Sequence, residues 1–403
     1  MLCQFTVKNL RCFRDEITLD MQAAAITENE DSLITDSDGK SFLPLAVVYG
    51  PNGAGKSTVL SALYSLCLKI MRPICAASCD RRSCGDRPFC KEQSSNILIE
   101  PFAFTKDTSN SPTEYELFFR TETREYQYQL HIQKNKISFE SLSTKKILGS
   151  RYTNYFTRTK SVDSIRVSLI DNGVSRISDD LPLLSYLIIT HSDHEVMRDI
   201  FSWLTNRVDF RNYGSPVEEA VVSIDPKRKS LILAMLKEMD IDIDDYRVEK
   251  TNNKLEVFSS HTVDNKTTEL SLTDESSGTV KVFGLLPYLV RSIIDGSTLV
   301  IDELDAKLHP FLLKYIIQLY SNPSVNNNGA QLIFTSHDLT TMNSEFFRRD
   351  EVWYVAKTGE GAAKLYSLVE FARKDAKYDK QYIEGRYGAC PYLQRIIDWE
   401  EVE

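Results

Sequence analysis

Residues Leu45-Ala46-Val47-Val48-Tyr49 form a short apolar run, and Gly50-Pro51-Asn52-Gly53-Ala54-Gly55-Lys56-Ser57 follows it directly. The run has the length of a strand buried on both faces, and the next eight residues match a phosphate-binding loop. Such a loop needs glycines, because its backbone N–H groups turn inward and approach phosphate oxygens closely. Lys56 is placed to meet the β- and γ-phosphates of a nucleoside triphosphate, and the Ser57 hydroxyl to coordinate Mg²⁺. A helix predicted from about Lys56 to Met71 directs its positive end at the same phosphates. Asn52, Gly53, Ala54, Gly55 and Thr58 complete the candidate ATP contacts of the loop. Strand, loop and helix in this order predict an α/β fold.

Three segments further along extend the reading. Leu299-Val300-Ile301-Asp302-Glu303 is a second buried-strand pattern ending in two carboxylates. Asp302 suits a water-mediated Mg²⁺ contact, and Glu303 is the candidate general base for the attacking water. Two acidic residues at a strand end are common, so this assignment leans on the phosphate loop. Gln331 to Ser336 is a third strand pattern, with His337 at its end as a candidate sensor of the γ-phosphate. A lone histidine there is ordinarily a surface or packing residue. The fourth segment, Glu275-Ser276-Ser277-Gly278-Thr279, lies upstream of Asp302.

In this order the segments resemble the heads of ABC-type ATPases, the class that includes the SMC and RecF proteins. Ser276-Ser277-Gly278-Thr279 stands where that class has a Ser-Gly-Gly motif, with Ser277 in place of the first Gly and Thr279 after the second. The variant resembles a narrower group, the AAA_15 ATPases, which is similar to the AbiL- and RloA-like anti-phage ATPases and the ATPase subunit of PARIS. Phe5 to Phe13 resembles that group's opening strand, and Ile241-Asp242-Ile243 with Tyr246-Arg247-Val248 its middle segment. Asp302 to Pro310 resembles its Walker B strand and D-loop, with Leu308-His309 for Leu-Asp, and Tyr382 to Pro391 its tail.

The resemblance implies one ABC-type ATPase head across 1-403, with an antiparallel β-subdomain and an inserted helical lobe. Residues 1-66 and 279-403 would form the nucleotide-binding core, and 67-96 a Cys-rich insertion. The β-subdomain would span 97-150, and the helical lobe 180-278, ending in the signature motif. It also implies that Arg11, Ser276 and Gly278 contact nucleotide. In such heads ATP lies between the phosphate loop of one subunit and the Ser-Gly motif of another, so a homo-oligomer, at least a dimer, is expected. ATP state would then control an effector such as an RloB-like or TOPRIM nuclease. The alternative is a RecF/SMC-like DNA-repair ATPase.

At 403 residues the chain can hold one large or two modest domains. No uninterrupted run reaches the eighteen or so apolar residues of a membrane span, Leu181 to Thr190 being the longest candidate. With no secretory signal pattern at the N-terminus, a cytoplasmic location is expected. A net charge of −9 argues against a broadly basic DNA-coating surface and leaves DNA binding to a local patch. No sustained heptad pattern separates Ser57 from Ser276, so long coiled-coil arms are not expected.

Alternation in Tyr115 to Arg120 and Tyr126 to Ile132 predicts antiparallel strands, with turns at Asn110-Ser111-Pro112 and Lys134-Asn135-Lys136. Residues 180 to 245 read as mainly helical, with Leu231, Leu233, Met235 and Leu236 suggesting one apolar face. Cys75, Cys79, Cys84 and Cys90 crowd sixteen residues beside Arg72, Arg81, Arg82, Arg87 and Lys91. Two readings stand: a structural Zn²⁺ site, whose charge those cations would offset, or a loop of reduced thiols. His191 and His194 flank Asp193 on a predicted helix, where a solvated face is the ordinary reading and metal binding the other.

Overall fold

All five residues of Leu45–Tyr49 are buried in a computed structural model of the chain. The structure describes residues 1–78, 99–159, 164–168, 170–175, 177–211, 225–251, 254–373 and 376–390. The strand shows why its sequence is apolar without a break. Ala46 and Val48 face a first hydrophobic core, while Leu45, Val47 and Tyr49 face a second. A strand covered on both sides admits a polar side chain only where buried partners satisfy its hydrogen bonds.

Along the chain the first half contains β1 (Leu2–Lys8), β2 (Ile17–Asp20), β3 (Ile34–Thr35), β4 (Ser41–Phe42), β5 (Leu45–Tyr49) and α1 (Lys56–Ser78). A short α2 (Lys106–Ser109) precedes β6 (Thr113–Arg120), β7 (Arg124–Gln133), β8 (Lys136–Lys146), β9 (Thr153–Thr159), β10 (Ser164–Val167) and β11 (Ile170–Ser175). Then come α3 (Leu183–Thr190), α4 (Glu195–Ser202), β12 (Val208–Arg211), α5 (Pro226–Glu238) and the strands β13 (Asp245–Thr251), β14 (Lys254–Val263) and β15 (Lys266–Ser271). The last part holds α6 (Ser277–Asp295), β16 (Thr298–Ile301), α7 (Pro310–Ser321), β17 (Gln331–Thr335), β18 (Val352–Lys357), β19 (Ala363–Ser367) and α8 (Tyr378–Ile383).

The central sheet has the order β12-β16-β17-β5-β18-β19 and is parallel except for β19. Its register pairs Val48 with Thr335 and Ile301 with Phe334. Gly50, Asp302 and Ser336 therefore leave the sheet at one edge, the carboxyl ends of its strands, where open α/β sheets hold their ligands. An antiparallel sheet of eight strands, β11-β10-β9-β8-β7-β6-β1-β2, lies across the first core. This is the α/β architecture with an antiparallel subdomain expected of an ABC-type head.

One side chain joins the two sheets. Gln331 of β17 is fully buried and accepts from the Leu2 amide of β1 at 2.7 Å while donating to the Leu2 carbonyl at 3.0 Å. It also donates to Leu43 O and accepts from Thr298 Oγ1. Both amide protons and both lone pairs of the carbonyl are used, as burial demands.

Several boundaries differ from expectation. Helix α1 runs beyond Met71 to Ser78 and past Pro73. Burial of Ile70, Met71 and Ile74 holds the helix there, and the Ser185 hydroxyl of α3 donates to Ile70 O at 2.7 Å beside the proline. By length and composition α1 is also the one helix among the described residues apolar enough to cross a membrane, although charged and polar residues interrupt its apolar run. Its side chains Val59, Leu63, Leu66 and Ile70 are buried in the first core.

The antiparallel strands continue past residue 150 to Ser175 and take in β1 and β2. The turn at Lys134-Asn135 is a two-residue hairpin with both residues at positive φ, but Asn110-Ser111-Pro112 leads into β6 rather than turning a hairpin. Residues 180 to 245 are mainly helical where described, in α3, α4 and α5, but the lobe expected over 180-278 is of mixed structure. It contains β12 of the central sheet and a three-stranded meander, β13-β14-β15. Lys266 to Leu270 of β15 is exposed at every residue, so no alternation marks it as a strand. On α5 the buried positions are Ile232, Met235 and Leu236, with Met239 following, whereas Leu231 is 44% exposed.

Candidate functional site

The phosphate loop is shaped by close contacts within the chain. At Gly50, φ is +151° and a β-carbon would lie 2.3 Å from the Val355 carbonyl oxygen of β18. At Gly55, φ is +115° and a β-carbon would fall 2.4 Å from Cys12 Sγ. Only glycine fits either place. Lys56 opens α1 almost fully buried, and its Nζ donates to Gly50 O at 3.0 Å. Burial lowers the pKa of this amine, opposed by the nearby carboxylates of Asp302, Glu303 and Asp305.

A cleft of about 470 Å³ opens over the loop. Asn52, Gly53, Gly55, Lys56, Ser57 and Thr58 line one side, and Arg11, Cys12, Glu303 and His337 the rest. The structure thus brings together the predicted phosphate-loop residues other than the buried Ala54, the predicted base and the predicted sensor, while Asp302 does not line the cleft. Arg11 arrives by a tight turn, with Leu10 and Phe13 exchanging both backbone hydrogen bonds at 2.8 Å. Arg11 and Asn9 hold positive φ there, and Asn9 is fixed by donating to Thr108 O and accepting from Phe102 N. The Arg11 guanidinium pairs with Glu100 at 3.4 Å. Cys12, which sequence reasoning did not single out, has a thiol whose pKa is raised, chiefly by burial.

The acidic strand end is organised by a residue that sequence reasoning also passed over. Thr335 Oγ1 donates to Asp302 Oδ1 at 2.6 Å and accepts from the Glu303 amide at 2.7 Å. Its signal was a fully buried hydroxyl closing an otherwise apolar strand end. Glu303 sits at φ +52°, unusual for a side-chain-bearing residue, and this turn points it into the cleft. Asp305 Oδ2 accepts from the His337 amide at 3.0 Å, which ties the ends of β16 and β17 together.

Ser276 and Gly278 do not line this cleft. Ser276 caps α6: its Oγ accepts from the Thr279 amide at 3.1 Å. A β-carbon at Gly278 would meet nothing nearer than Lys307 O at 3.4 Å. One turn further, Lys281 Nζ donates to the carbonyls of Glu303, Leu304 and Ala306.

The other predicted sites are less developed. Cys75 is half-buried near the end of α1, while Cys79, Cys84 and Cys90 lie outside the described residues. Among the described residues no group of three or more His, Cys, Asp or Glu is placed to hold a metal. His191 and His194 are not on a helix: they end α3 and cap α4, and each ring is engaged locally, with Thr190 Oγ1 and the Val196 amide respectively. Arg386 is exposed and pairs with Glu384, while its neighbour Tyr387 stacks on Tyr354.

A glycine cradle that any β-carbon would fill, a buried lysine at its base and a serine at the helix start fit a nucleoside triphosphate with Mg²⁺. Fold and cleft together define a phosphate-loop nucleotide-binding domain. Within that class the chain belongs to the AAA_21 family, described as "AAA domain, putative AbiEii toxin, Type IV TA system", whose model matches residues 45–343, more than half the chain. It is an ATPase-domain family, so a nucleotide, typically with Mg²⁺, is its ligand. Solved structures similar to the chain include the SMC head domain from Thermotoga maritima, at 14% identity and a TM-score of 0.42, covering 91% of this chain and 98% of that one. Another is the Smc head domain with an extended coiled coil bound to the C-terminal domain of ScpA, from Pyrococcus furiosus. It has 10% identity and a TM-score of 0.39, covering 91% of this chain and 96% of that one. Comparison with curated proteins gives no match.

Proposed function

We propose that this chain hydrolyses ATP in a site completed by a second copy of itself, and that ATP state controls a partner. The observation that carries this reading is the separation of two motifs. Lys56, Ser57, Glu303 and His337 share one cleft, whereas Ser276 and Gly278 lie outside it. Lys56 would meet the β- and γ-phosphates, with the loop amides and Arg11 adding donors. Ser57 and Asp302 would hold Mg²⁺, which when bound neutralises phosphate charge. Thr335 keeps the Asp302 carboxylate in place and orients the Glu303 turn. Glu303 would take the proton from the attacking water, and His337 would donate to the γ-phosphate.

Gly278 and Ser276 would serve the neighbouring subunit's triphosphate. In agreement, no contact within the chain requires glycine at 278. The test mixes two variants. Lys56→Ala spoils the phosphate loop, Gly278→Arg the motif, and each alone should hydrolyse ATP at less than about 1% of the parental rate. A freely exchanging mixture should regain hydrolysis through one intact site per dimer. Normal hydrolysis by Gly278→Arg alone would overturn the shared site.

The partner we favour is an effector nuclease of an anti-phage system in the cytoplasm, RloB-like or TOPRIM-type. The AbiEii description of the family and the AAA_15-like tail and signature residues support this. A nuclease gene beside this one would strengthen it; ATP turnover stimulated by DNA, without a toxic partner, would favour the RecF/SMC-like repair reading. The cysteine segment would bind one Zn²⁺ if Cys75, Cys79, Cys84 and Cys90 converge, which metal analysis of protein purified without added zinc decides.

A further inference from the structure

We propose that Lys281 is a positioning residue that couples the Ser276–Gly278 turn to the loop carrying Glu303 in the same subunit. The inference rests on the shared-site reading and adds a route by which one subunit's base registers its neighbour's nucleotide. Lys281 lies three and four residues after Gly278 and Ser277, hence on their face of α6. Its Nζ donates to Glu303 O at 3.0 Å, Leu304 O at 2.9 Å and Ala306 O at 2.6 Å. These three bonds match the three protons of an ammonium group.

The acceptors belong to one short loop, which Thr335 holds on the side of β17 and Lys281 on the side of α6. Glu303 and Lys307 both stand at positive φ, +52° and +58°, without being glycine. Three carbonyl dipoles also converge on one point and repel one another unless a cation or donor lies between them. The same loop touches the start of the helix, since Lys307 O is the nearest atom to where a Gly278 side chain would begin. Charged neighbours of the amine are Asp305 and Glu303, which favour its ammonium form, and Lys307, which opposes it; burial outweighs them and brings its pKa to about 8. A phosphate of the neighbouring subunit that draws on the helix start thus pulls on Lys281 and, through it, on the Glu303 turn.

Two readouts test this. In protein without nucleotide, Lys281→Met should speed amide hydrogen exchange across residues 303–308 by about tenfold or more, and Lys281→Arg should stay near parental. The second readout uses the mixture of Lys56→Ala and Gly278→Arg chains, whose single live site takes its Glu303 from the Gly278→Arg chain. Lys281→Met added to that chain should cut hydrolysis by about tenfold or more, and added to the Lys56→Ala chain should change it less than about twofold. Equal loss in both placements would mean general damage to α6 and overturn the proposal, as would no loss in either. If the starting mixture shows no hydrolysis, the shared site has failed on its own, and unchanged exchange at 303–308 then sinks the positioning role separately. Should Lys281→Met not fold, Lys281→Gln replaces it in each arm.

Discussion

The phosphate loop and the Ser276–Thr279 turn both place glycine at the start of a helix, yet their glycines answer to different neighbours. Gly50 and Gly55 are hemmed in by Val355 O and Cys12 Sγ, at positive φ, inside their own chain. Gly278 is helical and meets only ordinary contact. The first pair is required by folding. The third is free of that demand within its own chain, which is what the proposed shared site requires of it.

The comparison breaks most visibly at Gly50. Gly50→Ala should destabilise by more than about 3 kcal/mol in urea unfolding, because backbone rather than a flexible side chain blocks the new methyl. Gly278→Ala should change stability by less than about 1 kcal/mol and may not be read as a folding defect, since alanine suits a helix. Equal losses in the two variants would erase the distinction.

A change in chemistry alone sharpens it further. Glu303→Gln keeps the turn and the Thr335 bond to its amide while removing the carboxylate proposed as the base. Turnover should fall by about 100-fold or more with ATP affinity within about threefold. Parental turnover would move the base to Asp302 or His337.

An effect independent of either glycine turn is expected at Glu351. Its carboxyl is buried at the start of β18, accepts from the Arg348 amide at 2.8 Å, and has its pKa pushed up to about 8, mostly by burial. A carboxyl with a raised folded pKa stabilises the fold while protonated in both states and loses that contribution as pH rises from the unfolded value near 4.5 through about 8. Glu351→Gln should therefore flatten the fall in melting temperature between pH 5 and about 8, leaving hydrolysis unchanged. An identical slope in the variant would show that Glu351 does not titrate in that window.

What the sequence discloses follows from where each residue finds its partners. Leu45–Tyr49, Leu299 to Ile301 and Leu332 to Phe334 are legible because burial on two faces writes an uninterrupted apolar run. Lys56, Glu303 and His337 are legible because they sit at the ends of those runs. Thr335 and Lys281 are not, since each acts on backbone or side chains reached only through tertiary contact. Strand β9 hides for another reason: of Thr153–Thr159 only Phe156 and Arg158 are buried, too few to show a period. The meander hides because its outer strand has no buried face at all.

Gln331 carries a consequence for how the molecule fails. Its side chain stands in for a peptide group, bonded to Leu2 on the antiparallel sheet, to Thr298 on the central one and to Leu43 just before β5. Fraying of the antiparallel sheet at Leu2 strips hydrogen bonds from a residue four positions before Thr335 on the same strand. Heat that loosens the antiparallel sheet is then felt on the strand that carries Thr335, which ties the stability of the phosphate-loop edge to that of the sheet beside it.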